Sequence, residues 1–316
     1  MYKNLVRIST KDMSHEQWLE ERRNAIGGSD APSVIGVNPF SSPYAVYCDK
    51  LGMLPAKEEN EAMRQGTDLE AYVARRFEMQ TGKRVRKCNS ILYNPEYPFA
   101  HANVDRLILG EDAGLECKTT SQLNMKKFKN GEYPANYYVQ TMHYMMVTGA
   151  AKWYLAVLIY SKEFLVFEIE RDEDEIQALA KAEKEFWDNH VAANQPPEAD
   201  SSKSTEEALG IVFDLPAGGE LIATSEQETY IKSLIDLKAQ KKELEDEIRG
   251  IENAIKSDMG DNETLKGAGG VITWKDQDKR TFDYKALLKD YPDIEADKYY
   301  KTTTSRVFRA KEIKNE

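Results

Sequence analysis

HANVDRLILGEDAGLECKTT, residues 101–120, is the stretch on which the fold turns. Val104, Leu107 and Leu109 lead into Gly110-Glu111-Asp112, and Leu115 to Lys118 run out of it. Glycine and aspartate between two apolar runs predict a β-hairpin. Side chains i and i+2 of a strand share a face, so Glu116 and Lys118 point together while Cys117 points away. The hairpin swings Asp105 beside Glu116. Two carboxylates and an ammonium then converge, the set that metal-assisted hydrolysis of a phosphodiester requires. The carboxylates hold hard cations such as Mg2+ through oxygen, and the lysine orients or activates the attacking water. Charges alternating along a solvated strand fit the same spacing, so support must come from elsewhere in the chain.

At 316 residues the chain can bury a full core and has room for more than one domain. A content of 41% apolar and 10% aromatic residues belongs to a folded protein. No run approaches a membrane span, and the N-terminus MYKNLVRIST lacks a signal-peptide core, so a cytoplasmic protein with no membrane partner is expected. Cys48, Cys88 and Cys117 are widely spaced and odd in number, which suggests neither a disulfide framework nor a CxxC zinc site. The formal net charge of -11 argues against wide, sequence-blind coating of DNA. Much of the acid lies in Glu168 to Glu185 and Glu226 to Glu252, whereas basic residues gather at Arg75-Arg76, Lys83 to Lys87 and Lys126 to Lys129. A narrow basic channel is compatible with that distribution, and so are solvated helix or strand faces.

The pattern predicts helices over 14–24, capped by Ser14, around Ala31 to Ile35, over Ser42 to Leu51 and over Met63 to Gln80. Ile26-Gly27-Gly28-Ser29-Asp30 reads as a tight turn. Strands are expected at Arg84 to Tyr93, Val104 to Leu109 and Gly114 to Thr119. A helix over Asn136 to Thr148, strands at Lys152 to Tyr160 and Glu163 to Glu170, and a helix over Glu173 to Ala193 complete one α/β (α+β) domain, closed at Gln195-Pro196-Pro197. Residues 196–222 read as a linker or irregular segment. A heptad register follows over 223–259: Tyr230, Leu234, Leu237, Leu244, Ile248, Ile251 and Ile255 alternate between d and a, with Lys241 in one a position. That is a coiled-coil helix, or one that packs on the protein's own next helix. Residues 260–316 form a small β-rich unit, with a hairpin of Gly270 to Lys275 and Arg280 to Tyr284 across Asp276 to Lys279, a short helix over Tyr284 to Leu288 and a final strand over Thr303 to Ala310.

Asp105, Glu116 and Lys118 resemble the signature of the PD-(D/E)xK nuclease superfamily. Arg22 to Ala31 (RRNAIGGSDA), Gly66-Thr67-Asp68-Leu69-Glu70 and Gln140-x-x-x-Tyr144 resemble, in order, motifs of its YqaJ-type viral recombinase family, which includes phage lambda exonuclease. The resemblance covers roughly the first 195 residues. Val104 departs from it, standing where many members have proline.

The resemblance implies a restriction-endonuclease-like PD-(D/E)xK core, a mixed central sheet flanked by helices. It further implies that Asp105, Glu116 and the backbone carbonyl of Cys117 ligate Mg2+, for which Mn2+ can substitute, with Glu70 contributing directly or through water. Lys118 would position the nucleophilic water. Gln140 and Tyr144 would hold the active-site end of their helix and orient Lys118 or the substrate. Arg22 and Ser29 would grip the 5'-phosphate of a DNA end, a pocket whose guanidinium, hydroxyl and turn N–H groups suit an anion. Each has a plainer reading: Ser29 as a helix cap, Arg22 as a surface charge with Arg23 an equal candidate, Glu70 as a salt-bridge partner. His101 and His143 read as core histidines. The implied function is a 5'-to-3' exonuclease on double-stranded DNA ends, phage or prophage encoded, partnered by a single-strand annealing protein and able to form a homo-oligomer. The alternatives are a restriction-like or repair endonuclease with the same core, or a non-catalytic DNA-binding or coiled-coil scaffold. An iron–sulfur nuclease would need four cysteines.

Overall fold

The computed structural model describes residues 4–56, 59–214, 218–301 and 307–310. The chain divides into two compact units, Met1–Asp214 and Leu215–Glu316. In the first, a five-stranded mixed sheet is built from β3 (Val85–Lys87), β6 (Arg106–Ile108), β7 (Ala113–Thr120), β8 (Lys152–Ile159) and β9 (Glu163–Glu170), in that spatial order. Only the β7–β8 pair is parallel. Its crossover runs through a 3-10 segment, Gln122–Gly131, and helix α5 (Ala135–Thr148). Helix α4 (Glu61–Thr81) covers the opposite face. The expected mixed sheet flanked by helices is therefore present.

Strand alternation assigns the two faces. Tyr154 and Ala156 of β8, with Leu115 and Cys117 of β7, pack toward Val73, Ala74 and Phe77 of α4. Trp153, Leu155, Val157 and Ile159 pack on the α5 side. β8 is buried along most of its length, as a central parallel strand must be.

A second sheet lies beyond α5, in the order β1 (Val6–Ser9), β4 (Ser90–Tyr93), β5 (Ala100–Asn103) and β2 (Ile26–Gly27). Leu92, Ala100 and Ala102 join Met142, Met145 and Met146 of α5 in one core. Sandwiched between two sheets, α5 is buried from Gln140 to Thr148 and cannot be amphipathic. α6 (Glu173–Phe186), capped by Asp172, adds Ile176, Leu179 and Ala180 to the same core.

Several expectations need correction. Arg84 to Tyr93 is not one strand: the chain bends at Asn89, whose φ is 38°, and β3 and β4 enter different sheets. Ile26-Gly27 is a strand as well as the start of a turn, because it pairs in parallel with Ala100 and His101. The segment 196–222 contains helix α7 (Lys203–Val212), capped by Ser202. Thr205 Oγ1 donates to Ser42 Oγ at 2.8 Å and Ala208 packs with α3 (Pro43–Lys50), so α7 belongs to the first unit. The helix expected over Glu173 to Ala193 changes to π geometry at Trp187–Ala192.

In the second unit, α8 (Ser225–Met259) is one continuous helix opened by a capping box on Thr224 and Gln227. The following hairpin is β10 (Thr264–Gly267) with β11 (Gly270–Thr273), turned at Ala268-Gly269, one step earlier than expected. Gly270, the first residue of β11, has φ 150°, a backbone position that larger residues avoid. α9 (Tyr284–Asp290) follows. Of the final strand expected over Thr303 to Ala310, residues 303–306 lie outside the described residues and 307–310 carry no strand.

Candidate active site

The hairpin between Asp105 and Lys118 forms as its apolar pattern dictates, with Arg106 opposite Leu115 and Leu107 opposite Gly114. Asp105 lies where the chain leaves the four-stranded sheet at Asn103 and enters the five-stranded one at Arg106. β7 is buried through Glu116 and half-buried from Cys117 onward, so the strand emerges from the core at the Glu-Cys-Lys triplet. Glu116 and Lys118 face α5, and Cys117 faces α4, as period-two alternation requires.

Asp105 Oδ2 accepts from the Cys117 backbone N–H at 2.8 Å, which fixes the aspartate beside the triplet. Lys118 Nζ donates to Glu116 Oε1 at 2.5 Å, and Gln140 Nε2 donates to the same oxygen at 2.8 Å. The Gln140 amide also donates to Tyr144 Oη at 2.8 Å. Glu116 Oε2 is buried and finds no hydrogen-bond partner among the described residues. A buried carboxylate oxygen left without a partner is costly unless something cationic faces it.

Burial, then Glu116 and Glu70, push the Asp105 carboxyl well above its usual range, against the pull of Lys118 and the Cys117 N–H. Burial works against the Lys118 charge, but Glu116 and Asp105 outweigh it and hold the ammonium above its ordinary value. Burial, with Glu116 and Asp105, keeps Tyr144 protonated well beyond the usual phenol range.

Glu70 does not join the pair directly. It is engaged by Arg106, whose side chain is 6% exposed and also donates to the Asp105 carbonyl at 2.7 Å. Among the described residues no group of three His, Cys, Asp or Glu side chains is arranged to hold a metal ion. Two protein cations, Lys118 and Arg106, instead occupy the carboxylates. The donors still suit a hard divalent cation: crowded carboxylates that raise Asp105 and an orphaned Glu116 oxygen both call for positive charge.

A second cluster forms at the Gly-Gly-Ser turn. Arg22 Nη2 donates to Ser29 Oγ at 2.8 Å, and the Arg22 guanidinium lies 4.6 Å from the Trp18 ring centroid. It is Arg22, not Arg23, that reaches Ser29. Lys50, its side chain 1% exposed, donates to Asp30 Oδ2 at 2.6 Å and to the Arg22 carbonyl at 2.8 Å. Burial would raise Asp30, but Lys50 and Arg22 drive it well below the carboxylate range. Ser29 is exposed and caps no helix through a side-chain hydrogen bond.

The two clusters meet through packing. A β-carbon on Gly28 would lie 2.4 Å from Tyr144 Cε1, so the turn rests directly on the ring whose hydroxyl Gln140 holds. His101 and His143 are buried, as expected of core histidines. His143 bonds Glu183 at 2.7 Å and the His101 carbonyl at 2.8 Å. Burial, with Lys50 and Arg22, pulls His101 down to about 3. Asp30, Lys50 and Arg106 were not picked out as site residues from the sequence. Asp30 sits inside the recognised motif and could have been; Lys50 and Arg106 carry no local signal.

Residues 17–151 match the YqaJ-like viral recombinase domain. The uncharacterized protein YqaJ of Bacillus subtilis (strain 168) is 39% identical over 312 residues, covering 98% of either chain. The chain belongs to the YqaJ-like viral recombinase family. An alkaline exonuclease from Laribacter hongkongensis is 21% identical, aligned over 57% of this chain and 94% of that one with a TM-score of 0.49. A phage related exonuclease from Haemophilus somnus 129PT is 15% identical over 54% and 96%, with a TM-score of 0.40. Among the described residues no helix is long and apolar enough to cross a membrane.

Proposed function

We propose that this YqaJ-like protein is a Mg2+-dependent exonuclease that enters duplex DNA at an end, degrades the 5' strand and leaves a 3' single strand for a single-strand annealing partner. The observation that carries the reading is the convergence of Asp105, Glu116 and Lys118, with Glu116 Oε2 buried and unpartnered among the described residues. A scaffold has no use for such a set, because crowding carboxylates costs stability unless a cation relieves it.

Asp105, Glu116 and the Cys117 carbonyl are the groups that would hold the ion, with Glu70 reaching it through water after leaving Arg106. Mg2+ there, or Mn2+ in its place, would neutralise charge on the attacked phosphate and favour hydroxide over water. Lys118 would release Glu116 and turn its ammonium to the nucleophilic water and the phosphate oxygens. Gln140 keeps the Glu116 carboxylate in one orientation, and the Tyr144 hydroxyl keeps the Gln140 amide turned toward it. Arg22 and Ser29 present a guanidinium and a hydroxyl at an exposed turn, a pair suited to a terminal 5'-phosphate. That contact supplies register on the strand and no sequence preference. The Gly28–Tyr144 contact ties this register to the hydrolytic centre.

The test is digestion of a linear duplex labelled separately at each end, with Mg2+ or EDTA, comparing 5'-phosphate with 5'-hydroxyl ends beside a closed-circular control. Metal-dependent loss from phosphorylated 5' ends with the circle intact is expected. Cutting of the circle would make the protein an endonuclease, and no cleavage with any divalent metal would leave the site without this role.

A further inference from the structure

Helix α8 carries an apolar seam that is exposed among the described residues: Leu237, Leu244, Ile248 and Ile251 are between 55% and 63% exposed. Leu234 and Ile255, which extend the seam at its two ends, are half-buried; exposed a and d positions between them are a surface suited to another helix. We propose that this surface binds α8 of a second copy, antiparallel, about a two-fold axis between Lys242 and Glu243.

The register carries the argument. An antiparallel pair sets each a residue against a d residue of the other helix. Leu234 then meets Ile251, Lys241 meets Leu244, Ile248 meets Leu237, and Ile255 meets Tyr230 of the second copy. All four layers are symmetric about the same point, so one two-fold axis closes the whole seam.

The flanking charges choose the direction. In this alignment Lys238 faces Glu245 of the second copy, twice by symmetry, and Gln240 faces Glu247. Ile231 lies beside Glu252 and Ser233 beside Ala254, so no like charges oppose each other. A parallel, in-register pair would instead put Glu247 against Glu252 on both sides and stack Lys241 on Lys241 inside the seam. Like charges at these positions disfavour an alignment. Lys241 already leans out of the seam, its ammonium 3.6 Å from Glu245 of its own helix. Its stem can cover Leu244 of the second copy while the charge stays at the flank.

Sedimentation equilibrium on the full chain tests this with three surface variants, helix content being checked by circular dichroism. The wild type is expected to dimerise. Lys238→Glu turns two attractive pairs into two repulsive ones and should raise the dimer Kd about tenfold. Lys238→Glu with Glu245→Lys should restore it. The rescue matters because Lys238 also lies 5.8 Å from the Phe308 ring centroid, a contact the double variant does not rebuild. Glu247→Lys should leave the dimer nearly unchanged. A monomer throughout, a dimer indifferent to Lys238→Glu, a loss that Glu245→Lys does not rescue, or a dimer tightened by Glu247→Lys would each overturn the proposal.

Discussion

Gly28→Ala adds one methyl group at the junction of the two clusters. The new carbon would lie 2.4, 2.8 and 3.0 Å from three atoms of the Tyr144 ring. Carbon atoms pack comfortably at about 3.5–4.0 Å, so ring or turn must move by about 1 Å. The ring has little room, since Tyr144 is 4% exposed, packs on Trp153 at 5.2 Å between centroids, and has its hydroxyl held by Gln140. Gly28 is not in the left-handed region, so steric overlap alone opposes the substitution. Overpacking of this kind costs about 1–3 kcal/mol. For a unit of this size, Tm should fall by about 2–10 °C. Turn displacement carries Ser29 and Arg22 with it, so end cleavage should fall more than stability does. Differential scanning fluorimetry and initial rates on a 5'-phosphorylated duplex measure the two effects. The decisive comparison is a double-mutant cycle with Tyr144→Ala: once the ring is gone, Gly28→Ala should cost almost nothing more. A wild-type Tm for the single variant, or the same loss in the Tyr144→Ala background, would show that the ring is not the obstacle.

Gln140→Leu removes both donors of a buried amide, leaving Glu116 and Tyr144 short of partners; a loss of about 1–3 kcal/mol in urea unfolding is expected, with a larger fall in cleavage rate. Glu183→Leu strands the fully buried His143, and a loss of about 3–5 kcal/mol by the same assay is expected. His101 gives a pH dependence: its folded value of about 3 lies below the ordinary 6.5, so the unfolded chain takes up the proton first as pH falls. Stability from neutral His101 is thus intact above pH 7 and lost between about 6.5 and 3, about 2 kcal/mol of it between pH 7 and pH 5. Urea midpoints at those two pH values should separate more for the wild type than for His101→Gln, and equal separations would contradict the assignment.

Much of the candidate site's geometry was legible because it is local. The hairpin from Asp105 to Lys118 is announced by Gly110 and its flanking apolar residues, and strand alternation alone puts Glu116 and Lys118 on one face. Gln140 and Tyr144 share a helix face by spacing, and the structure adds that the Gln140 amide donates to both Tyr144 and Glu116. What escaped the sequence depends on pairings far apart in the chain. Lys50 reaches Asp30 across the fold, and Arg106 turns Glu70 away from the carboxylate pair. The break at Asn89 is easy to miss: asparagine enters the left-handed region more readily than most residues, but a single one is outweighed by the strand-like run around it. From sequence α7 reads as a linker because its apolar face is short, and the partners that give it something to cover, Ser42 and residues of α3, lie far off in the chain.

Single-turnover cleavage of a 5'-phosphorylated duplex by Glu116→Gln, with DNA binding followed by fluorescence anisotropy in Ca2+, tests the hydrolytic centre most directly. The substitution keeps the shape and the Gln140 contact region while removing the charge that faces Lys118 and would face the proposed cation. Cleavage should fall by about a thousandfold or more while binding stays within a few-fold of the wild type. A variant that binds and still cuts within tenfold of the wild-type rate would show that the Asp105–Glu116–Lys118 cluster is not where hydrolysis occurs.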